Sequence, residues 1–331
     1  MAISSYGPNR NKTIIYYAII ALIIIAAAGL FLYPFGRKKT VEKTAPVADT
    51  TQPAAPQQTL QTAKPGKTAS VTDTNSPASP HVMELLKQAQ SDADSGKVIV
   101  ARNTYNDILN MSPLPDAIRE TVKKQMTALA DQWLFTKTIQ LGDDLCSSYK
   151  VQPGDSLAQI AVKCKVPYQF IMRINNIASD KSLRADQVIK LAQGPFHAIV
   201  YKSSFTLDLY LQNVFVKSYK VGLGKEGHET PVGLWRAKVG GKMVKPTWTD
   251  PDTGKTYHAE DPDYPLGSGW ISLEGTDSRT RGIEGIAIHG TNDESTIGTK
   301  SSRGCIRLYN GELKEVYDMF EAGFSELRVV E

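Results

Sequence analysis

Near the C-terminal end of this 331-residue chain, one histidine and one cysteine stand sixteen positions apart. His289 lies in Ile288-His289-Gly290, and Cys305 in Ser302-Arg303-Gly304-Cys305-Ile306-Arg307. The thiolate is the nucleophilic form of cysteine, and a free thiol at neutral pH is only about a few per cent ionised. A histidine within hydrogen-bond reach can take the thiol proton and pass it to a leaving amine. Gly304 lets a substrate approach the backbone closely, and the N–H groups of Gly304 and Cys305 are candidates to meet a developing oxyanion. The Gly290 carbonyl is a candidate to fix the tautomer of the preceding ring. Ser302, Arg303 and Arg307 are candidate substrate contacts. For Arg307, a substrate carboxylate and a structural acid are equally suitable partners. The competing reading makes Cys305 a buried small hydrophobe and His289 a satisfied polar residue. The neighbouring glycines and the Ser/Arg context favour chemistry.

Several elements must position this pair. Gly285-Ile286-Ala287-Ile288 predicts a short buried strand that delivers His289 at its end. Asn310 is the expected cap of a last helix with Leu313, Val316, Tyr317 and Phe320 on one face. Gly323 ends that helix, and residues 327–330 add a strand. Upstream, residues 198–201, 206–211 and 214–216 alternate with period two, and Gln212-Asn213 sits at a hairpin turn. Residues 240–269, with Trp248, Tyr257 and Tyr264, are too irregular for regular strands and read as a lid or substrate wall.

His289-Gly290-Thr291 followed by the Ser302 to Arg307 run resembles the signature of the L,D-transpeptidase (YkuD-type) family. Thr230-Pro231-Val232-Gly233 and Tyr264-Pro265-Leu266-Gly267 fit it as well. The resemblance covers about residues 197–330, within an expected catalytic domain of 196–331. Arg303 departs from the pattern, standing where many members carry a second histidine. The resemblance implies a β-rich domain, a mixed β-sandwich with a shallow groove. It implies that Cys305 attacks the third-residue carbonyl of a peptidoglycan stem tetrapeptide while His289 protonates the departing D-alanine amine. A side-chain amine from a neighbouring stem then forms a 3–3 cross-link. Water as acceptor gives L,D-carboxypeptidase activity, and a protein lysine gives attachment of that protein to the wall. No cofactor is implied. The histidines and cysteines form no ligand-spaced cluster, so no metal is expected.

The remainder of the chain predicts a multidomain α+β protein. Residues 14–33 are twenty residues without a charge, long enough to cross a bilayer core of roughly 30 Å. An uncleaved transmembrane helix is favoured over a cleaved signal peptide, because the apolar run continues beyond Ala26-Ala27-Ala28. Basic residues flank both ends, so charge does not set orientation. The substrate does: the implied wall chemistry puts the C-terminal domains outside the cytoplasm. Residues 34–80 are rich in Thr, Ala and Pro and read as a disordered linker. Residues 81–141 carry three amphipathic stripes, a helical spacer or a tetratricopeptide-like partner-binding segment.

The run Tyr149-Lys150-Val151-Gln152-Pro153-Gly154-Asp155-Ser156-Leu157, with Ile174-Asn175-Asn176 and Leu183, resembles a LysM domain, with expected bounds 147–193. That implies a small βααβ module binding N-acetylglucosamine polymers, chiefly peptidoglycan. Its groove maps to Gly154, Asp155, Ser156, Leu157 and Asn175, each of which is also an ordinary turn or cap residue. Cys146 and Cys164 flank the first part of this module. A disulfide between them and a pair of free thiols are both open. A net charge of +4, with no basic run interleaved with aromatics, gives no nucleic-acid face. A non-catalytic wall-binding protein, in which the LysM module does the work, stays open beside the enzyme.

Overall fold

The computed structural model describes residues 79–331. The expected anchor at 14–33 and nearly all of the 34–80 linker lie outside the described residues. Among the described residues, no helix is long and apolar enough to cross a membrane.

Three helices come first: α1 (Pro80–Asp94), α2 (Val98–Leu109) and α3 (Asp116–Trp133). Pro80 opens α1 where its missing N–H costs nothing, and the Ser79 hydroxyl accepts from the Val82 N–H at 3.3 Å. The apolar stripes bury Ala89, Tyr105, Ile108, Met126 and Trp133.

The small module follows, with β1 (Cys146–Lys150), α4 (Leu157–Cys164), α5 (Tyr168–Asn175) and β2 (Val188–Ala192). Its strands pair antiparallel, Cys146 opposite Ala192 and Lys150 opposite Val188. Residues 183–189 read in sequence as the return strand, but the strand begins only at Val188. Asp186 is left-handed at φ 66°, and the Gln187 N–H donates to the Arg184 carbonyl at 3.2 Å, so residues 184–187 form a turn.

The three helices are not a detached spacer. Lys190 of β2 is buried, and its ammonium donates to the carbonyls of Trp133, Thr136 and Thr138, at and beyond the C-terminus of α3. A helix C-terminus favours a cation there. Phe135, Phe170 and Phe196 meet edge to face, at 6.3 Å and 4.9 Å between successive ring centroids. Helices, LysM module and catalytic domain thus share one core. That sharing bears on the cysteines. Cys146 and Cys164 are both buried and free, so no disulfide closes the module. A bridge would compensate for the small core of an isolated module, and this module borrows core from its neighbours.

The catalytic domain is built on one eight-stranded sheet, ordered β13-β11-β10-β7-β14-β3-β4-β5. These are β3 (Phe196–Tyr201), β4 (Thr206–Leu211), β5 (Val214–Lys220), β7 (Gly233–Met243), β10 (Trp270–Gly275), β11 (Ala287–His289), β13 (Ile306–Arg307) and β14 (Glu326–Val330). The pairs β14/β3 and β11/β13 are parallel and the others antiparallel. Two short pairs complete it: β6 (Leu223–Gly224) with β12 (Lys300–Ser302), and β8 (Trp248–Thr249) with β9 (Thr256–Tyr257).

The expected β-rich domain is realised as one continuous mixed sheet, and at its β4/β5 end helices cover both faces. Side chains alternate faces along a strand, and β5 shows where each face goes. Lys217 and Tyr219 reach Glu315 of α6 (Asn310–Met319), at 2.8 and 3.0 Å. Ser218 points the other way, to Asp208, and the Asp208 carboxylate pairs with Lys123 of α3 at 2.8 Å. Period-two patterning identifies the strands but does not say whether a strand or a helix covers them. Asn106 of α2 also closes the sheet edge, accepting from the Phe215 N–H at 3.1 Å.

Two LysM positions expected to hold glycan are interior. Leu157 is 1% exposed and packs in the core. Asn175 is 3% exposed, and its amide is fully engaged with backbone: it donates to the Ile171 and Lys190 carbonyls at 2.9 and 2.8 Å and accepts from the Lys190 N–H at 2.7 Å. Asn175→Ala leaves buried backbone groups unpartnered and should cost about 3 kcal/mol in urea unfolding. A glycan contact at this residue would instead predict unchanged stability and weakened wall binding. Asp155 accepts from Tyr149 and from the Gln152 N–H, and Ser156 caps α4. Gly154 and Ser156 stay exposed at the turn.

Candidate active site

His289 ends β11, where Ala287, Ile288 and His289 are all buried. Ile288 is level with Ile306, and His289 with Arg307, in parallel register. Cys305 therefore falls level with Ala287, one pleat repeat from His289 and on the same face, with about 8 Å between Cα atoms from strand rise and spacing. Both line one cleft of about 430 Å³.

The ring of His289 is held on two sides. Its Nδ1 lies 2.5 Å from the Gly290 carbonyl. A carbonyl only accepts, so Nδ1 carries the proton and Nε2 is left free to accept one. Trp270, opposite His289 in the β10/β11 pairing, stacks on the ring at 5.4 Å and 16°. Gly290 is fixed in turn by Asn310, which accepts from the Ser268 N–H and donates to the Thr291 carbonyl, both at 2.9 Å. A Cβ at Gly290 would collide with the Asn310 Oδ1. Asn310 is thus not the expected helix cap. The N-cap position of α6 is Tyr309, and it makes no side-chain cap bond. Asn310→Ala should lower stability by about 2 kcal/mol in urea and reduce kcat more than it changes KM, because the base loses its alignment without losing a substrate contact.

The cysteine loop is braced from within. Ser302 is buried, its hydroxyl donating to the Cys305 carbonyl at 2.6 Å and accepting from the Gly304 N–H at 3.2 Å. Two expectations are corrected here. Ser302 is internal bracing rather than a substrate contact, and the Gly304 N–H is already engaged. The Cys305 N–H remains as the candidate oxyanion donor of the two. Gly304 itself has φ 108°, and a Cβ there would meet the Ile286 side chain, so glycine is required.

Electrostatics hold both His289 and Cys305 neutral at rest. Burial drives His289 down to about 4, opposed by the Gly290 bond and assisted by the Arg307 charge. Burial pushes Cys305 up to about 11, against the Ala287 N–H and Arg307, which favour the thiolate. The thiol donates to the Gly285 carbonyl at 3.4 Å, and no hydrogen bond joins it to His289. The expected pair is brought into one cleft but is not a preformed thiolate–imidazolium pair.

Arg307 makes no ion pair among the described residues. Its buried Nε has no partner, and one guanidinium nitrogen only approaches Ser301 Oγ, at 3.5 Å. Of its two expected partners the structural acid is not there. Arg303 pairs with Asp252 at the tip of the β8/β9 hairpin. The 240–269 stretch, expected as an irregular lid or substrate wall, instead holds the end of β7 and this hairpin, and Trp248, Asp250, Asp252 and Tyr257 line the cleft. Trp270 and the bridging role of Asn310 escaped sequence reasoning. Their partners lie far along the chain, and neither residue sits in a motif. Among the described residues no group of side chains is arranged to hold a metal ion.

Residues 195–330 match the family model for the L,D-transpeptidase catalytic domain (YkuD), and 149–192 match the LysM domain. A Bacillus subtilis strain 168 protein named for L,D-transpeptidase activity, YqjB, is 34% identical over 132 residues, covering 39% of this chain and 69% of its own length. YkuD of Bacillus licheniformis strain ATCC 14580, similarly named, is 28% identical over 182 residues, 53% of this chain and 94% of its own. ErfK/SrfK of Escherichia coli K12, also named for this activity, is 34% identical over 228 residues, 64% of this chain and 65% of its own. The chain belongs to the L,D-transpeptidase family. It is an enzyme of peptidoglycan acyl transfer, and a cysteine nucleophile is general in that family.

Proposed function

We propose that Cys305 and His289 carry out 3–3 cross-linking of peptidoglycan stem peptides through a thioester. The observation that carries this reading is the Nδ1 lock on His289, which leaves Nε2 as a free base in the cleft that holds the thiol. Substrate entry displaces water, and the thiol turns from the Gly285 carbonyl toward Nε2. Sulfur bonds to the carbonyl carbon of the third stem residue as Nε2 takes the thiol proton. The oxyanion meets the Cys305 N–H. Collapse breaks the bond to D-alanine, and Nε2 gives its proton to the leaving amine. The side-chain amine of a second stem then attacks the thioester, loses its proton to Nε2, and the sulfur is released to be reprotonated. The unpartnered Arg307 suits a substrate carboxylate.

The LysM module holds the glycan through the exposed turn at Gly154 and Ser156. With 14–33 as a single-pass anchor and 34–80 as a tether, the catalytic domain works outside the cytoplasm. A C-terminal reporter that is active only in the cytoplasm should be silent, and signal from it would sink this topology. Muropeptide analysis after incubation with purified sacculi tests the reaction. Cross-linked dimers are expected. Tripeptides alone would mark a hydrolase using the same site, and neither product would leave a wall-binding protein.

A further inference from the structure

The cleft around Cys305 is lined by charges of both signs, Lys225, Arg303 and Arg307 with Asp250, Asp252 and Glu284. One cation and one acid of this set are already joined across the mouth. Arg303, two residues before the nucleophile, pairs with Asp252 on the β8/β9 hairpin. Both side chains remain well exposed, at 38% and 55%. An exposed pair of this kind is weak and exchangeable. An arginine and a carboxylate form a bidentate match whichever molecule supplies the carboxylate.

The hairpin bearing Asp252 is a preformed unit. Asp250 accepts from the Asp252 N–H and the Thr253 hydroxyl, both at 2.9 Å, and its carbonyl accepts from the Gly254 N–H at 2.8 Å. Trp248 stacks on Tyr257 at 6.0 Å. Behind the tip, Lys255 pairs with Asp263 at 2.6 Å, and Asn292 donates to the Asp263 carbonyl at 2.9 Å. The base of the loop is tied to the body near the active site, whereas the tip is tied to the cysteine loop through Arg303.

From this we infer that Arg303 is a specificity-determining residue. Asp252 occupies its guanidinium in the resting enzyme, in the place of the free carboxylate at the end of the donor peptide. The incoming carboxylate takes Arg303 from Asp252, which anchors the donor beside Cys305 and releases the hairpin tip in the same exchange. This inference rests on the reading of Cys305 as the acyl-forming residue.

The test measures calorimetric binding to the full chain carrying Cys305→Ala, so that no turnover intrudes. The probes are a stem tetrapeptide and the same peptide with its terminal carboxylate amidated. Asp252→Asn removes the competing carboxylate and should tighten the acid form by up to about fivefold, the equilibrium worth of an exposed ion pair, leaving the amide form unchanged. Arg303→Gln should weaken the acid form about tenfold, toward the level of the amide. Arg303→Lys should keep part of the preference, which guards against a variant that merely misfolds. Unchanged or weaker binding in Asp252→Asn, an equal response of both peptides, or no binding of either peptide in any variant would overturn the inference. Cross-linking by the unmutated chain is assayed in parallel. Its absence, with the acid/amide pattern intact, would count against the proposed reaction and leave the role of Arg303 standing.

Discussion

Cys305→Ala should abolish cross-linked and tripeptide products while leaving the fold and wall binding in place. The side chain is small, and its sulfur makes only weak bonds, to the Gly285 carbonyl and from the Ala287 N–H. The loop that carries it is braced by Ser302 and by the required glycine at 304 rather than by the sulfur. The expected stability change is therefore within about 1 kcal/mol, the scale of weak hydrogen bonds and a small truncation. The catalytic loss is total, because the variant has no atom that can form the acyl intermediate. No general base or oxyanion donor replaces a missing nucleophile. Sacculus digestion followed by muropeptide separation checks this, and any residual dimer formation by purified variant would refute the assignment.

His289→Gln carries the second large effect, and its size should depend on pH. With Cys305 near 11, only about one thiol in ten thousand is ionised at pH 7 by the titration law. The resting enzyme cannot rely on a standing thiolate, so the base must take the proton as the bond forms. Removing the base should slow acylation at pH 7 by about a thousandfold, within the range for general-base catalysis. The sign of the pH effect follows from the thiol. As pH rises toward 11, thiolate grows roughly tenfold per pH unit, so the variant gains rate and the deficit narrows. The unmutated enzyme loses activity at the acid end only as His289 protonates near 4. Single-turnover acylation between pH 5 and 10 distinguishes this from a preformed ion pair. In that case alkylation of the unmutated thiol would already have reached a plateau at neutral pH.

The signature stretch was legible because its meaning is local. The apolar run before His289 is a strand, the carbonyl after it holds the ring, and the register of β11 with β13 places Cys305 on the face the motif requires. Residues whose work is long-range were misread. Asn310 looks like a helix cap, yet its side chain holds Ser268 and Thr291, 42 and 19 positions away. Asn175 and Leu157 sit in a glycan-binding motif, yet both point inward, since a small module needs interior residues at the same turns. Ser302 was misread for a local reason, since it stands beside Cys305 but its hydroxyl is spent on its own loop. The helical layers over the sheet were also hidden, because alternation along β5 shows two covered faces without saying what covers them. The partner of Arg303 was beyond reach for the same reason. Asp252 is 51 positions upstream, in a loop without periodicity.

The central claim is that the reaction passes through an acyl group on Cys305. Intact mass measurement of the full chain, mixed with a stem tetrapeptide and quenched in acid within one turnover, tests it directly. The expected species is heavier by the tripeptide acyl group, with one D-alanine released per enzyme and the adduct on the proteolytic fragment that contains Cys305. Turnover without that adduct, or an adduct on another fragment, would contradict the account.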